Sequence, residues 1–150
     1  MGSQMEIKKR IVIADLDGTL SDYQHRVKFW IQKDYDAFNS RGKDDKPIED
    51  ICNILRRLHN DETEIVVMTA RDEWHQQDTA EWLRLNDVPF DRLLMRRTGD
   101  MSHDDDCKKN MLEQNIEKEN VWFVLEDRKV VVDMWRKEGL TCLQVAAGEF

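Results

Sequence analysis

The chain has 150 residues, enough for one domain with a substantial core and too few for two ordinary ones. It is 40% hydrophobic and 36% charged with a mean hydropathy of −0.73, and no apolar run approaches the roughly 20 residues that cross a bilayer. Twenty-three Lys and Arg against 31 Asp and Glu give a net charge of −8, which argues against sequence-blind binding of duplex nucleic acid but not against a small cationic pocket for one phosphate.

Met1 to Gln4, ahead of a second methionine, read as an expression leader, and the domain is expected over 5–150. No secretory signal pattern precedes it. Cys52, Cys107 and Cys142 are odd in number and far apart, which fits a reducing compartment such as the cytoplasm better than a disulfide framework.

The first apolar run, Ile11-Val12-Ile13-Ala14, predicts a strand buried on both faces. A helix is predicted after Pro47 from Ile51, Ile54, Leu55 and Leu58, which share one stripe. Ile65-Val66-Val67-Met68 is a second strand, and Trp74, Trp82 and Leu85 stripe the following helix. Leu93-Leu94-Met95 is a third strand, followed by a helix striped by Cys107, Met111, Leu112 and Ile116. Val121 to Leu125 is a fourth strand, followed by a helix carrying Val131, Val132 and Trp135 that Gly139 ends. Cys142 to Val145 is the fifth. Strands alternating with helices predict an α/β fold, a five-stranded parallel sheet with helices on both faces. In such a sheet ligands bind beyond the carboxyl ends of the strands.

The residues expected there are Asp15-Leu16-Asp17-Gly18-Thr19 after the first strand and Thr69-Ala70-Arg71 after the second. The loop after the third supplies Arg96, Arg97 and Asp104, with Lys108 on the next helix, and Glu126-Asp127-Arg128 follow the fourth. An aspartate is ionised at neutral pH, with a reference pKa of ~3.9, and can attack phosphorus without a base. Carboxylates from two strand ends suit a hard cation such as Mg²⁺. Lysine, arginine and hydroxyl donors stabilise the charge that phosphoryl transfer develops.

Each signal has a plainer reading. Asp and Gly also favour simple turns, and a threonine after a strand also serves as an N-cap. Most arginines are surface residues. Asp104-Asp105-Asp106 is also an acidic first turn that a helix dipole favours. Lys109 with Asp105 is the alternative to Lys108 with Asp104 if the helix starts one residue later. The four histidines read as solvated, apart from a weak pairing of His103 with Cys107, and Trp122 and Trp135 as core. Trp30 and Trp74 are the candidates to touch a base near the crevice mouth.

Asp15-Leu16-Asp17-Gly18-Thr19, with Thr69, Lys108 and Glu126-Asp127 in order behind it, resembles the four motifs of the haloacid dehalogenase (HAD) superfamily. The stretches from Glu126 to Arg136 and from Gln144 to Phe150 are similar to the end of the 3′-phosphatase domain of bacteriophage polynucleotide kinase-phosphatases. The resemblance implies a three-layer Rossmann-like HAD fold with a small helical cap over 22–48, and a Mg²⁺-dependent 3′-phosphatase working through an aspartyl-phosphate. It implies Asp15 as nucleophile and Mg²⁺ ligand, Asp17 as an acid-base whose backbone carbonyl is also a Mg²⁺ ligand, Asp127 as direct ligand and Glu126 as a ligand through water. It also implies Lys108 at nucleophile and phosphate, and Arg26, Arg71, Thr69 and Asp104 around the substrate. Asp17 is then expected to have a raised pKa when substrate crowds it.

No Gly-x-x-x-x-Gly-Lys-Ser/Thr occurs, so a kinase domain is not expected, and a kinase or ligase would act in trans in the cytoplasm, the host's if the chain is phage-encoded. The substrate is expected to be a 3′-phosphorylated DNA or RNA end. An alternative is a 5′(3′)-nucleotidase or small-ester phosphatase with the same chemistry. A reading from another class is a phosphoacceptor or end-binding module without turnover.

Overall fold

The computed structural model describes residues 8–149, so Met1 to Gln4 lie outside the described residues. Strand β1 (Arg10–Ala14) is the middle of a five-stranded parallel sheet. The others are β4 (Thr63–Asp72), β5 (Arg92–Arg96), β6 (Val121–Arg128) and β7 (Cys142–Gly148), in the order β5-β4-β1-β6-β7. Val12 pairs with Ile65 on one side and Phe123 on the other.

The two-residue period of a strand sends alternate side chains to opposite faces, and each face has its own core. Ile11, Ile13, Val66, Met68 and Val124 pack with Cys107, Met111 and Leu112 of α5 (Asp104–Asn115) and Val131, Val132 and Trp135 of α6 (Lys129–Lys137). Val12, Ala14, Ile65, Val67 and Leu125 pack with Cys52 and Leu55 of α3 (Glu49–Leu58) and Trp82 and Leu83 of α4 (Gln76–Leu85). This is the three-layer α/β arrangement expected. All three cysteines are buried and free. No described helix is long and apolar enough to cross a membrane.

The segment between β1 and α3 adds Leu16 and Leu20 to the second core and then forms small elements of its own. Two-residue strands β2 (Ser21–Asp22) and β3 (Lys46–Pro47) pair antiparallel as its stem. Between them lie two short helices, α1 (Val27–Ile31) and α2 (Tyr35–Ser40).

Several expectations are corrected. Trp74 is 80% exposed and Leu85 75%, because α4 begins only at Gln76 and its end faces water. Trp122 is 39% exposed: it lies at the start of β6, next to a register irregularity, and the Arg10 guanidinium sits 4.0 Å from its ring centroid. Trp135 is in the core, as expected. His75 is buried, with Nε2 3.5 Å from Asp36 Oδ1, and His25 Nε2 is 2.6 Å from Asp45 Oδ1. Thr69 and Glu126-Asp127-Arg128 lie within β4 and β6, which run further than their apolar stretches.

Candidate active site

The chain leaves β1 at Asp15, whose N–H still donates to Leu125 O on β6. It then turns back at once: Leu16 O accepts from the N–H groups of Thr19, Leu20 and Ser21. Gly18 makes the turn at φ +85°, and a Cβ there would collide with Asp127 Oδ2. A side chain would therefore meet both a left-handed backbone and the carboxylate beside it. The tightness of this turn brings Thr19 back to Asp15, where its Oγ1 donates to Oδ2 at 3.0 Å.

Strand order reverses direction at β1, so the crevice opens where residues from β1, β6 and α5 meet. Lys108, buried on α5, donates to Asp15 Oδ1 at 2.6 Å and to Glu126 Oε1 at 2.8 Å. Lys109, one residue on, faces outward with its Nζ 3.6 Å from Glu138. Glu126 Oε2 accepts from the N–H groups of Asp127 and Arg128 at 3.2 and 3.3 Å. Asp15, Glu126 and Asp127 are all buried and offer oxygens within 4.8 Å of one another.

Three buried carboxylates around one ammonium leave negative charge in excess. Burial, and then the Asp15 charge, push Glu126 and Asp127 above the ordinary carboxylate range. Burial opposes the charge on Lys108, but Asp15 and Glu126 outweigh it and hold the ammonium protonated. Hard oxygen donors with surplus negative charge fit a hard divalent cation. All three carboxylates also accept hydrogen bonds: Glu126 from Lys108 and two backbone N–H groups, Asp15 from Lys108 and Thr19, and Asp127 from Thr19.

Asp17 lies on the other side of the turn. Burial works against its charge, but the guanidiniums of Arg71 and Arg26 prevail and hold its carboxyl well below the usual range. Arg71 Nη2 donates to Asp17 Oδ1 at 2.5 Å, and Arg26 Nη2 donates to the same oxygen. Neither arginine is on the cleft wall. Arg26 is wholly buried and also donates to Asp45 Oδ1 and Oδ2 and to Phe38 O. Arg71 donates to Thr79 Oγ1 at 3.0 Å, and its guanidinium lies where a Cβ on Gly42 would be, at 2.8 Å. Thr69 is buried too, its Oγ1 accepting from the N–H of Arg71 at 3.1 Å. Asp104 opens α5 and bridges Arg96 Nη2 at 2.8 Å and Arg128 Nη1 at 2.5 Å.

A cleft of about 240 Å³ opens over Asp15, Asp17, Asp104, Lys108, Glu126 and Asp127. Trp30 lines it and Trp74 does not. Of the nine candidates, six thus meet at the cleft, while Arg26, Arg71 and Thr69 stand behind it. Two participants escaped the sequence reading. Asp45 fixes Arg26 yet sits in a run of Lys and Asp that reads as solvated surface. Tyr23 touches the Gly18 turn, and burial together with the nearby Asp127, Asp17 and Asp15 charges raises its phenol pKa.

Comparison with known proteins agrees with this geometry. Residues 9–150 match the family described as the polynucleotide kinase PNKP phosphatase domain. A chain in a solved Pnkp1/Rnl/Hen1 complex is 31% identical, with a TM-score of 0.82 over 99% of this chain and 50% of that one. A chain of the Pnkp1/Rnl/Hen1 RNA repair complex is 30% identical, with a TM-score of 0.84 over 99% and 46%. The present chain therefore spans about half the length of these two relatives. A haloacid dehalogenase-like hydrolase from Streptococcus pneumoniae, SP0104, shares the fold at 16% identity, with a TM-score of 0.66 over 91% of this chain and 84% of that one. A parallel sheet that gathers Asp15, Lys108 and Asp127 at its carboxyl rim, and a family match over nearly the whole chain, lead to one assignment: the chain belongs to the PNKP phosphatase-domain family of HAD-like phosphatases.

Proposed function

We propose that this chain is a Mg²⁺-dependent phosphomonoesterase that removes 3′-phosphate from polynucleotide ends through an aspartyl-phosphate at Asp15. The observation that carries the reading is the triple contact of Asp15: Lys108 on one oxygen, Thr19 on the other, and Asp127 within ligand reach. In the first step an Asp15 oxygen attacks phosphorus, the bond to the departing sugar oxygen breaks, and Asp17 supplies that oxygen with a proton. In the second, Asp17 takes a proton from the water that attacks phosphorus and frees Asp15 and inorganic phosphate. Arg26 and Arg71 favour the ionised form of Asp17, which suits the base of the second step; the added negative charge of a phosphate substrate favours the protonated form needed in the first. A divalent cation held by Asp15 and Asp127 would neutralise the charge between nucleophile and phosphate.

In this reading 22–48 is a small cap that covers the site, and Thr69, Arg71, Arg26 and Asp104 shape it around the substrate. A kinase or ligase acting in trans is the corresponding partner, supported by relatives that are chains of a Pnkp1/Rnl/Hen1 complex. The setting is the cytoplasm. The net charge of −8 favours a second reading, a phosphatase of mononucleotides or other small esters, because a long polyanion is repelled outside the pocket.

Phosphate release from 3′-phosphorylated oligonucleotides and from mononucleotides, with and without Mg²⁺, decides between them. Asp15→Asn is expected to abolish turnover while the fold survives. Release by that variant above the contamination level would overturn the nucleophile assignment.

A further inference from the structure

The cleft has two unlike sides. Its floor is ionic, made of Asp15, Asp17, Lys108 and Asp127, and the chemistry above uses all of it. The facing wall comes from the cap: Tyr23, Val27, Trp30, Ile31 and Phe38. Phosphoryl transfer gives this wall no task. The Tyr23 and Phe38 rings meet edge to face with centroids 6.1 Å apart, and the Arg26 guanidinium supports Phe38 from 4.1 Å. The Arg128 guanidinium sits 5.8 Å from the Trp30 ring centroid and is itself held by Asp104. Ile31, next to Trp30, is 68% exposed.

We propose that this wall seats the base of the substrate's terminal nucleoside, and that it reads the flat face of the base and not its edge. The proposal rests on the phosphatase reading of the floor. The first reason is continuity. Phosphate over Asp15 and aromatic rings occupy one cleft, so the group an ester bond away from phosphorus lies against the cap.

The second reason is chemistry. Among the five wall residues the polar side-chain groups are the Tyr23 hydroxyl and the Trp30 indole N–H, and the rest is hydrocarbon. A sugar-phosphate or polyol phosphate would give up more hydrogen bonds to water there than two donors return, whereas a planar apolar face gives up little. The third is selectivity. Base edges are told apart by amide, carboxylate and guanidinium groups; the two that stand beside the wall, Arg128 and Asp104, are bonded to each other. Stacking on an indole is open to every base, since each has a π face.

The test compares two oligonucleotides that differ at one place, a 3′-phosphorylated normal residue or a 3′-phosphorylated abasic residue at the end. The wild-type chain with Mg²⁺ is expected to show a KM roughly ten-fold higher for the abasic strand, the size of effect that loss of one stacked base produces. Trp30→Ala should bring that ratio close to one, and Trp30→Phe should keep most of it. The four normal bases should differ by less than about three-fold.

Equal KM values for the two wild-type strands, a ratio that survives Trp30→Ala, or a strong preference for a single base would each overturn the inference. Glycerol phosphate separates this failure from the deeper one. If it is hydrolysed while the strands show no base dependence, the wall proposal alone falls. If no ester is hydrolysed, the phosphatase reading falls with it.

Discussion

Replacing Lys108 with methionine probes the charge balance of the floor. Methionine keeps the apolar stem and removes the ammonium. Lys108 is 3% exposed and makes contacts of 2.6 and 2.8 Å with Asp15 and Glu126, so its loss leaves two buried carboxylates, with Asp127 beside them, lacking a counter-charge. Breaking a buried ion pair from one side costs about 3–5 kcal/mol. At about 2–4 °C per kcal/mol for a chain of this size, the unfolding midpoint should drop by roughly 10 °C.

The pH dependence has a definite sign. Glu126 and Asp127 are held above their unfolded values by burial and by the Asp15 charge. A folded state that keeps protons the unfolded chain has released loses stability as pH rises, here from about pH 4 upward. Lys108 limits that loss in the native protein. It is protonated throughout the range below its unfolded pKa of ~10.4, so its own contribution stays constant there. Without it the loss steepens, and the deficit of the variant should be smallest near pH 5 and largest near pH 8. Thermal unfolding of both proteins in chelator across that range measures it. A variant as stable as the native chain at pH 8, or a deficit that does not shrink in acid, would refute the assignment of Lys108 as the compensating charge.

Gly18→Ala should cost about 1–2 kcal/mol for the left-handed backbone and about 1–3 kcal/mol for overpacking against Asp127. Because it displaces Asp127, it should also shrink the rise in unfolding temperature that Mg²⁺ produces, and an undiminished rise would count against Asp127 as a ligand. Asp45→Ala leaves the buried Arg26 without the carboxylate that fixes it, at a cost of about 2–4 kcal/mol. Turnover should fall with it because Arg26 no longer positions Asp17; steady-state kinetics should show a larger loss in kcat than in KM, with partial recovery in Asp45→Asn.

The sequence alone determined the layers and the rim. Continuous apolar runs of four or five residues, Ile11 to Ala14 above all, leave few alternatives to strands covered on both faces, and that signal is local. The Asp15 to Thr19 turn was likewise legible, since a glycine directly after an acidic pair at a strand end is a local pattern. Tertiary structure decided which polar groups meet. Neighbours on a helix point about 100° apart, so only the docking phase of α5 selects Lys108 for the site and Lys109 for the surface.

The same holds for the arginines. Composition shows Arg26 and Arg71 as cations, but only the fold turns both onto Asp17 from behind and brings Asp45 from 19 positions away to hold one of them. The exposure of Trp74 and Trp122 and the burial of His75 were decided in the same way. Periodicity records what one element repeats along itself. The partner of a buried charge is set by contacts between elements, and those arise only when the sheet and its covering helices are assembled.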